Sequence, residues 1–233
     1  MKISVVIPAY NEEKYIGMTL ESVKKLDLGG NKLEILVIDA DSKDKTAKIA
    51  LGYGAIVKHE PHKEIGFSRQ QGIKHATGEI IAFTDADTIV PKDWLSKHLK
   101  VLNSPGVVCS CGVSKVFDGK FPYYHYINFV QIPLYWLIAN ITGKPPATGQ
   151  NIAFWRKKAL EIGGFNQKLR LFEDFDFADR MKQAGKVVFS ISICVSSSGR
   201  RTGEGFGFFT RNIRLFTRYL LGDRELSKFP DYR

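Results

Sequence analysis

An α/β fold with a mainly parallel sheet is predicted from three observations. Short β-rich apolar runs alternate with segments of helical period through the first half of the chain. Acidic residues recur just past the ends of those runs. The composition, 44% hydrophobic and 25% charged, is that of an ordinary globular protein and excludes a disordered one. At 233 residues the chain can bury a sizeable core as one large domain.

Residues 2–8 form the first β-rich run, stopped by Pro8. Helical spacing of Ile16, Leu20 and Val23 predicts a helix over 11–25, and a Gly-rich turn follows at 28–31. The continuous apolar run 33–38 suits a strand buried on both faces. A helix over 42–51, a short strand over 55–57 and a helix over 66–76 come next, with Gly78 as the stop. Residues 79–84 are a fourth strand. Pro91 and Asp93 open a helix over 94–102, and 107–116 reads as a further strand. No repeat, low-complexity tract or linker divides the chain.

Residues 121–142 contain no Lys, Arg, Asp or Glu and are rich in aromatics. His125, Asn128, Gln131, Pro133 and Asn140 make this stretch a poor membrane span. It reads either as a buried helix or as an interfacial, acceptor-lining one. Past residue 199, Arg211, Arg214 and Arg218 share one face of an apolar helix expected over 206–222. Such a basic amphipathic helix suits an anionic membrane surface, or docks on the core with its arginines in solvent. The glycines at 203, 205 and 207 suit a mobile entry loop.

The 34 Lys+Arg against 24 Asp+Glu give a net charge of +10. That surplus admits nucleic acid, an anionic membrane or a phosphorylated small molecule as partner, or plain solubility. Three cysteines, Cys109, Cys111 and Cys194, are too few for a disulfide scaffold and suit a reducing compartment. The N-terminus has no leader pattern, so a cytoplasmic location is expected, with peripheral contact on the inner membrane face if the amphipathic segments bind lipid.

Ligands of parallel sheets sit at the carboxyl ends of strands. Asn11-Glu12, Asp39 and Asp41, and Asp85 and Asp87 fall at three such ends. Two carboxylates spaced as in Asp85-Ala86-Asp87 can chelate one hard divalent cation, Mg²⁺ or Mn²⁺, which can bridge a diphosphate. Loop-top carboxylates also cap helices, and for Asp41 and Ser42 that reading is equally open.

Residues 5–12 (VVIPAYNE), 37–46 (VIDADSKDKT), 68–72 (SRQQG) and 84–87 (TDAD), followed by 148–151 (TGQN) and 173–176 (EDFD), resemble the ordered motifs of family 2 glycosyltransferases. The resemblance covers residues 1 to about 190. It implies a GT-A fold, a Rossmann-like sheet flanked by helices, with residues 1–199 as the catalytic domain and 200–233 as a C-terminal extension. Residues 1–104 would bind the nucleotide-sugar and 105–199 the acceptor. It also implies a nucleotide-sugar donor, a divalent metal and inversion at the anomeric carbon.

By the same resemblance, Pro8, Tyr10 and Glu12 match the first nucleotide-binding segment, and Asp39 the aspartate that bonds the base. A carboxylate accepts from uracil or guanine alike, so UDP and GDP both remain open. Arg69 matches an arginine near the donor diphosphate, a role suited to a forked, permanently charged group, with a salt bridge as the plain alternative. Asp85 and Asp87 match the metal and ribose ligands. Asp174 matches the base that takes the acceptor proton, with Glu173 beside it; a helix N-terminus is the competing reading. Gly149, Gln150 and Asn151 would line the acceptor pocket, where a glycine permits close backbone approach. An acceptor that is already a phosphate, such as a polyprenyl phosphate, needs no base, and Asp174 would then position it.

Two positions depart from the family pattern. Ala40 stands where an Asp is common, and residues 195–201 (VSSSGRR) lack the His that often adds a metal ligand. Either the metal has fewer protein ligands, or Arg200 and Arg201 take over some diphosphate neutralisation. Against the enzyme stand a basic nucleic-acid binder and a membrane-surface protein, but acidic clusters at strand ends disfavour the former. No G-x-G-x-x-G follows a strand, which disfavours a dehydrogenase, and residues 8–14 (PAYNEEK) lack the Gly-rich loop of a nucleotidyltransferase.

Overall fold

The computed structural model describes residues 1–143, 146–169 and 171–200, with Gly207, Thr210 and Arg214 as single positions beyond them. Arg201 and, apart from those positions, the helix expected over 206–222 lie outside the described residues. Eight strands form one sheet: β1 (Lys2–Ala9), β2 (Lys32–Asp39), β3 (Ile56–His59), β4 (Ile80–Phe83), β5 (Thr88–Ile89), β6 (Val107–Val116), β7 (Ile152–Trp155) and β8 (Lys186–Ser197). Their spatial order is β3-β2-β1-β4-β7-β6-β8-β5. The pairs β1–β2, β1–β4 and β2–β3 are parallel, as expected for the first half. Beyond them β7 runs antiparallel to both β4 and β6, β6–β8 is parallel, and β5–β8 is antiparallel. The sheet is therefore mixed, and it joins the two halves of the chain without a break.

Helices cover both faces. On one side, α1 (Ile16–Lys24), α2 (Thr46–Gly52) and α4 (Trp94–Leu102) bury Ile16, Leu20, Val23, Ala50, Trp94 and Leu95 against Ile3, Val5 and Ile7 of β1. On the other, α3 (Ile65–His75), α7 (Arg156–Glu161) and α8 (Glu173–Met181) pack Ile73, Ala159, Phe177 and Met181 on Val6, Phe83 and Phe154. Alternation along β1 thus feeds two separate apolar layers. Cys109 and Cys111 lie buried in the second layer as free thiols, as their apolar run suggests.

Two helices begin later than their periodicity predicts, for a shared reason. The Asn11 amide donates to Ser42 Oγ (2.9 Å), the Glu12 amide to Thr46 Oγ1 (2.7 Å) and the Glu13 amide to Asp44 Oδ2 (3.1 Å). In return the Lys43 amide donates to Asn11 Oδ1 (2.8 Å). The two loops at the tops of β1 and β2 are stitched together, and these residues cannot also enter helices. Asn11 (φ 53°) and Asp41 (φ 62°) take the left-handed backbone that Asn and Asp tolerate best. Ser42 serves this seam rather than capping α2, whose first helical amide is taken by Asp44 Oδ1 (2.9 Å).

The 121–142 stretch is helical from α5 (Tyr123–His125) through a π-helical segment (Tyr126–Gln131) into α6 (Ile132–Thr142). Tyr123 and Ile127 pack on Val116 of β6. The opposite side is open: Phe121, Phe129, Val130, Trp136, Leu137 and Ile141 are all exposed.

Gly72 sets the distance between α3 and the sheet. A Cβ there would lie 2.5 Å from Val6 Cγ1 and 3.0 Å from Phe83 Cζ. Gly72→Ala is expected to lower stability by about 1–3 kcal/mol through overpacking, read from chemical denaturation. Because α3 also carries Arg69, the variant should displace that side chain as well.

Candidate active site

The site is built on the strand ends. β1 ends at Ala9 and leads to Tyr10 and Glu12, β2 ends at Asp39, and β4 leads into Asp85 and Asp87. Pro8 pairs with Ile38 beyond the last rung shared with β4, Val6–Phe83, so its missing amide is accommodated. It is buried strand framework. Tyr10 is half-buried, and its hydroxyl accepts from Lys63 Nζ (2.9 Å), whose ammonium also lies 4.7 Å from the ring centre. Asp39 is 6% exposed, and its Oδ1 has no hydrogen-bond partner among the described residues. A buried carboxylate oxygen in that state costs on the order of 1–3 kcal/mol until a donor reaches it.

Arg69 is the centre of the arrangement. It is 4% exposed and projects from α3 between the two halves. Its Nη1 donates to Glu173 Oε1, and its Nη2 lies 3.3 Å from Asp85 Oδ1. The plain salt-bridge reading thus describes its contacts. Yet its Nε has no partner among the described residues, which leaves one donor for an anion. A Cβ on Gly149 would fall on the guanidinium, so only glycine lets the backbone at 149 pass this close.

Glu173 and Asp174 open α8, directly after Phe172, whose left-handed φ of 58° is unusual for a bulky residue. Asp174 is oriented at both oxygens: the Gly149 amide donates to Oδ2 (2.8 Å) and the Phe175 amide to Oδ1 (2.9 Å). Burial raises its pKa, opposed by the charge of Arg69. Burial likewise pushes Glu173 up to about 7, against the pull of Arg69. Burial raises the pKa of Tyr135 of α6, with smaller contributions from Tyr126 and Asp174. α6 thus lies within electrostatic reach of Asp174, a neighbour that sequence spacing does not reveal.

Gln150 Oε1 accepts from Thr88 Oγ1 (3.0 Å). Asn151 corrects the expectation that its side chain lines the pocket. It is fully buried: its Oδ1 accepts from Trp94 Nε1 (2.8 Å) and lies 3.0 Å from His98 Nε2, and its Nδ2 donates to the Val113 and Ile193 carbonyls (2.6 and 2.9 Å). Both ends of its amide tie α4, β6 and β8 together, and nothing is left to offer a ligand.

Arg200 is placed by the far edge of the sheet. β5 pairs with β8 through Thr88–Ser197, and the Ser198 amide donates to the Asp87 carbonyl (3.1 Å). Two residues on, Arg200 forks onto Glu12, with Nη1 2.8 Å from Oε2 and Nη2 2.8 Å from Oε1. Nη2 is also 2.8 Å from Asp87 Oδ2. Arg200 was expected at the diphosphate; here it bridges two carboxylates, a juxtaposition that depends on the unforeseen β5–β8 pair.

Asp85 and Asp87 offer hard oxygen donors at one strand end. No group of three His, Cys, Asp or Glu suited to a metal occurs among the described residues. Two carboxylates fit a cation that is shared with phosphate oxygens rather than caged by protein alone.

The sheet and its flanking helices define an α/β framework of the GT-A kind. Residues 4–172 match the family model described as glycosyl transferase family 2, and the chain belongs to that family of sugar-transferring enzymes. It is 31% identical over 217 residues to glycosyltransferase AglE of Haloferax volcanii, covering 88% of this chain and 68% of AglE. It is 27% identical over 189 residues to the uncharacterized glycosyltransferase YfnE of Bacillus subtilis, covering 78% of this chain but 46% of YfnE. The fold is similar to that of mannosyltransferase PcManGT from Pyrobaculum calidifontis, solved in complex with GDP-Man and Mn²⁺ (TM-score 0.75, 20% identity, 98% of this chain and 65% of that one). It is also similar to glucosyl-3-phosphoglycerate synthase from Mycobacterium tuberculosis, solved with Mn²⁺, UDP-glucose and phosphoglyceric acid (TM-score 0.68, 19% identity, 99% and 81%).

Glu173 gives a pH test. Its proton leaves near pH 7 in the folded chain and near 4.5 in the unfolded one, so the folded state holds more protons in between. Stability therefore falls as pH rises from 4.5 towards 7. Glu173→Gln should make that fall shallower in thermal melts across the window; an unchanged slope would count against the assignment.

Proposed function

We propose that the chain transfers a sugar from a UDP- or GDP-linked donor to an acceptor hydroxyl or a polyprenyl phosphate, with inversion at the anomeric carbon. The observation that carries this reading is the convergence of Glu12, Asp39, Asp85 and Asp87 at adjoining strand ends, with Arg69 reaching Asp85 from α3 and Asp174 at the start of α8. The two solved neighbours hold GDP-Man and UDP-glucose, which favours a nucleotide-sugar and leaves its base open.

Asp39 accepts an N–H of the base at its unpaired Oδ1, and Glu12 bonds the nucleoside. Arg69 offers its Nε to a diphosphate oxygen while Glu173 and Asp85 hold its plane. Asp85 and Asp87 would hold Mg²⁺ or Mn²⁺, the latter present in both neighbours. When bound, that cation draws charge from the departing nucleoside diphosphate. Asp174, fixed by two amides, takes the proton of the attacking hydroxyl; its raised pKa makes it a better base than an exposed aspartate. For a phosphate acceptor it positions the incoming group. Gly149 and Gln150 contribute backbone and amide to the acceptor side, and Arg201 with Arg200 adds positive charge near the phosphates. The division into donor half 1–104, acceptor half 105–199 and extension 200–233 belongs to the same reading.

The exposed apolar side of 121–142 supports peripheral membrane contact, with the acceptor delivered from the lipid surface on the cytoplasmic face. No helix among the described residues is long and apolar enough to cross a membrane. Nucleic acid is disfavoured because the strand ends are acidic.

UDP or GDP with Mn²⁺ should raise the thermal midpoint. Asp87→Ala should abolish sugar transfer with the fold intact. Asp174→Asn should cut transfer to a hydroxyl by roughly 10²–10⁴-fold while nucleotide binding persists. If neither nucleotide shifts the midpoint, the reading fails. Replacing Phe129 and Trp136 by Ser should reduce co-flotation with anionic vesicles and leave donor binding unchanged; undiminished flotation removes the membrane contact.

A further inference from the structure

We propose that Arg200 is an exchangeable counter-ion that closes the donor site: in the empty enzyme its guanidinium holds Asp87 and Glu12, and it hands them over when a nucleoside diphosphate arrives. The inference rests on the donor-site reading above and adds an order to its binding events.

The geometry is specific. One guanidinium donates to both oxygens of Glu12 and to Oδ2 of Asp87, all at 2.8 Å. Tyr15 lies beneath it, with 5.2 Å from Cζ to the ring centre. The side chains are well withdrawn from solvent, 4% exposed for Glu12, 13% for Asp87 and 19% for Arg200. The backbone just before it is anchored. The Gly199 amide donates to Asp118 Oδ1, Ser198 Oγ donates to the same carboxylate (3.4 Å), and a Cβ on Gly199 would fall on the Asp118 carbonyl. Arg200 is therefore delivered to these carboxylates by its strand, not left there by chance.

The two carboxylates have different tasks in the donor-site reading: Glu12 serves the nucleoside and Asp87 the divalent cation. A cation placed on Asp87 beside the guanidinium meets like charge in a poorly solvated corner, so metal and Arg200 compete for it. A diphosphate resolves the competition, because its oxygens accept the same forked donors that carboxylates do. When Arg200 turns to phosphate, Glu12 and Asp87 are released together. Metal and donor must then bind with positive, reciprocal coupling.

Mn²⁺ binding, followed by the electron spin resonance of the free ion and by calorimetry, tests this apart from turnover. Arg200→Gln should bind Mn²⁺ roughly tenfold more tightly than the wild type without nucleotide. UDP or GDP should tighten Mn²⁺ binding in the wild type much more than in the variant. Arg200→Lys, which keeps the charge but cannot fork, should fall between, with circular dichroism confirming that each variant folds. Asp87→Asn added to Arg200→Gln should erase the gain, and it also corrects for Mn²⁺ held by nucleotide alone. Unchanged Mn²⁺ affinity in both Arg200 variants, with nucleotide binding intact, overturns the exchange and leaves the donor-site reading standing. A wild type that binds nucleotide but no Mn²⁺ overturns it too, making Arg200 a permanent occupant. If no variant binds nucleotide, the donor-site reading falls and the exchange with it.

Discussion

The buried guanidinium of Arg69 is the constraint around which the molecule is arranged. A cation taken out of water is tolerated only where carboxylates surround it. Here they come from opposite halves, Asp85 after β4 and Glu173 at the start of α8. Removing either partner would leave a charge stranded in the interior, so α3, the end of β4 and α8 are held to one geometry. Gly72 lets α3 sit close enough to the sheet to deliver the arginine, and Gly149 leaves room for it on the acceptor side. Gly149 is thus set by the guanidinium itself, and Gly72 by Val6 and Phe83 of the sheet beneath α3.

A second level of order comes from the loops. The seam between residues 11–13 and 42–46 makes the tops of β1 and β2 one unit, carrying Glu12 on one strand of the seam and following Asp39 on the other. Glu12 is therefore positioned from below by Thr46 and from above by Arg200. The helices α1 and α2 start only where this hydrogen-bonded seam ends.

Much of this was legible in the sequence. The strand over 107–116 and the helix over 94–102 fall where apolar spacing, and for the helix Pro91 and Asp93, place them. The acidic residues at strand ends came together because parallel topology puts them there. What period could not show were long-range pairings. The short β5 exists only through its partner β8, and Arg200 meets Asp87 only because of that pair. The family resemblance of residues 148–151 predicts Asn151 as a pocket residue. Its burial depends on Trp94, His98, Val113 and Ile193, four partners scattered over the chain. Polar residues carry no sign in the sequence of whether their partner is a ligand or the protein itself.

The antiparallel β7, wedged between β4 and β6, has a consequence for how such a scaffold diversifies. Its first residue, Ile152, pairs with Phe83 on one side and Cys111 on the other. The chain that leaves β6 after Val116 therefore returns to the same end of the sheet, beside the place where Asp85 and Asp87 follow β4. Everything between is a closed excursion with both feet pinned by neighbouring rungs. Its length and chemistry can drift without shifting the register of any strand. The apolar helices α5 and α6 are carried within that excursion, outside the strand ladder.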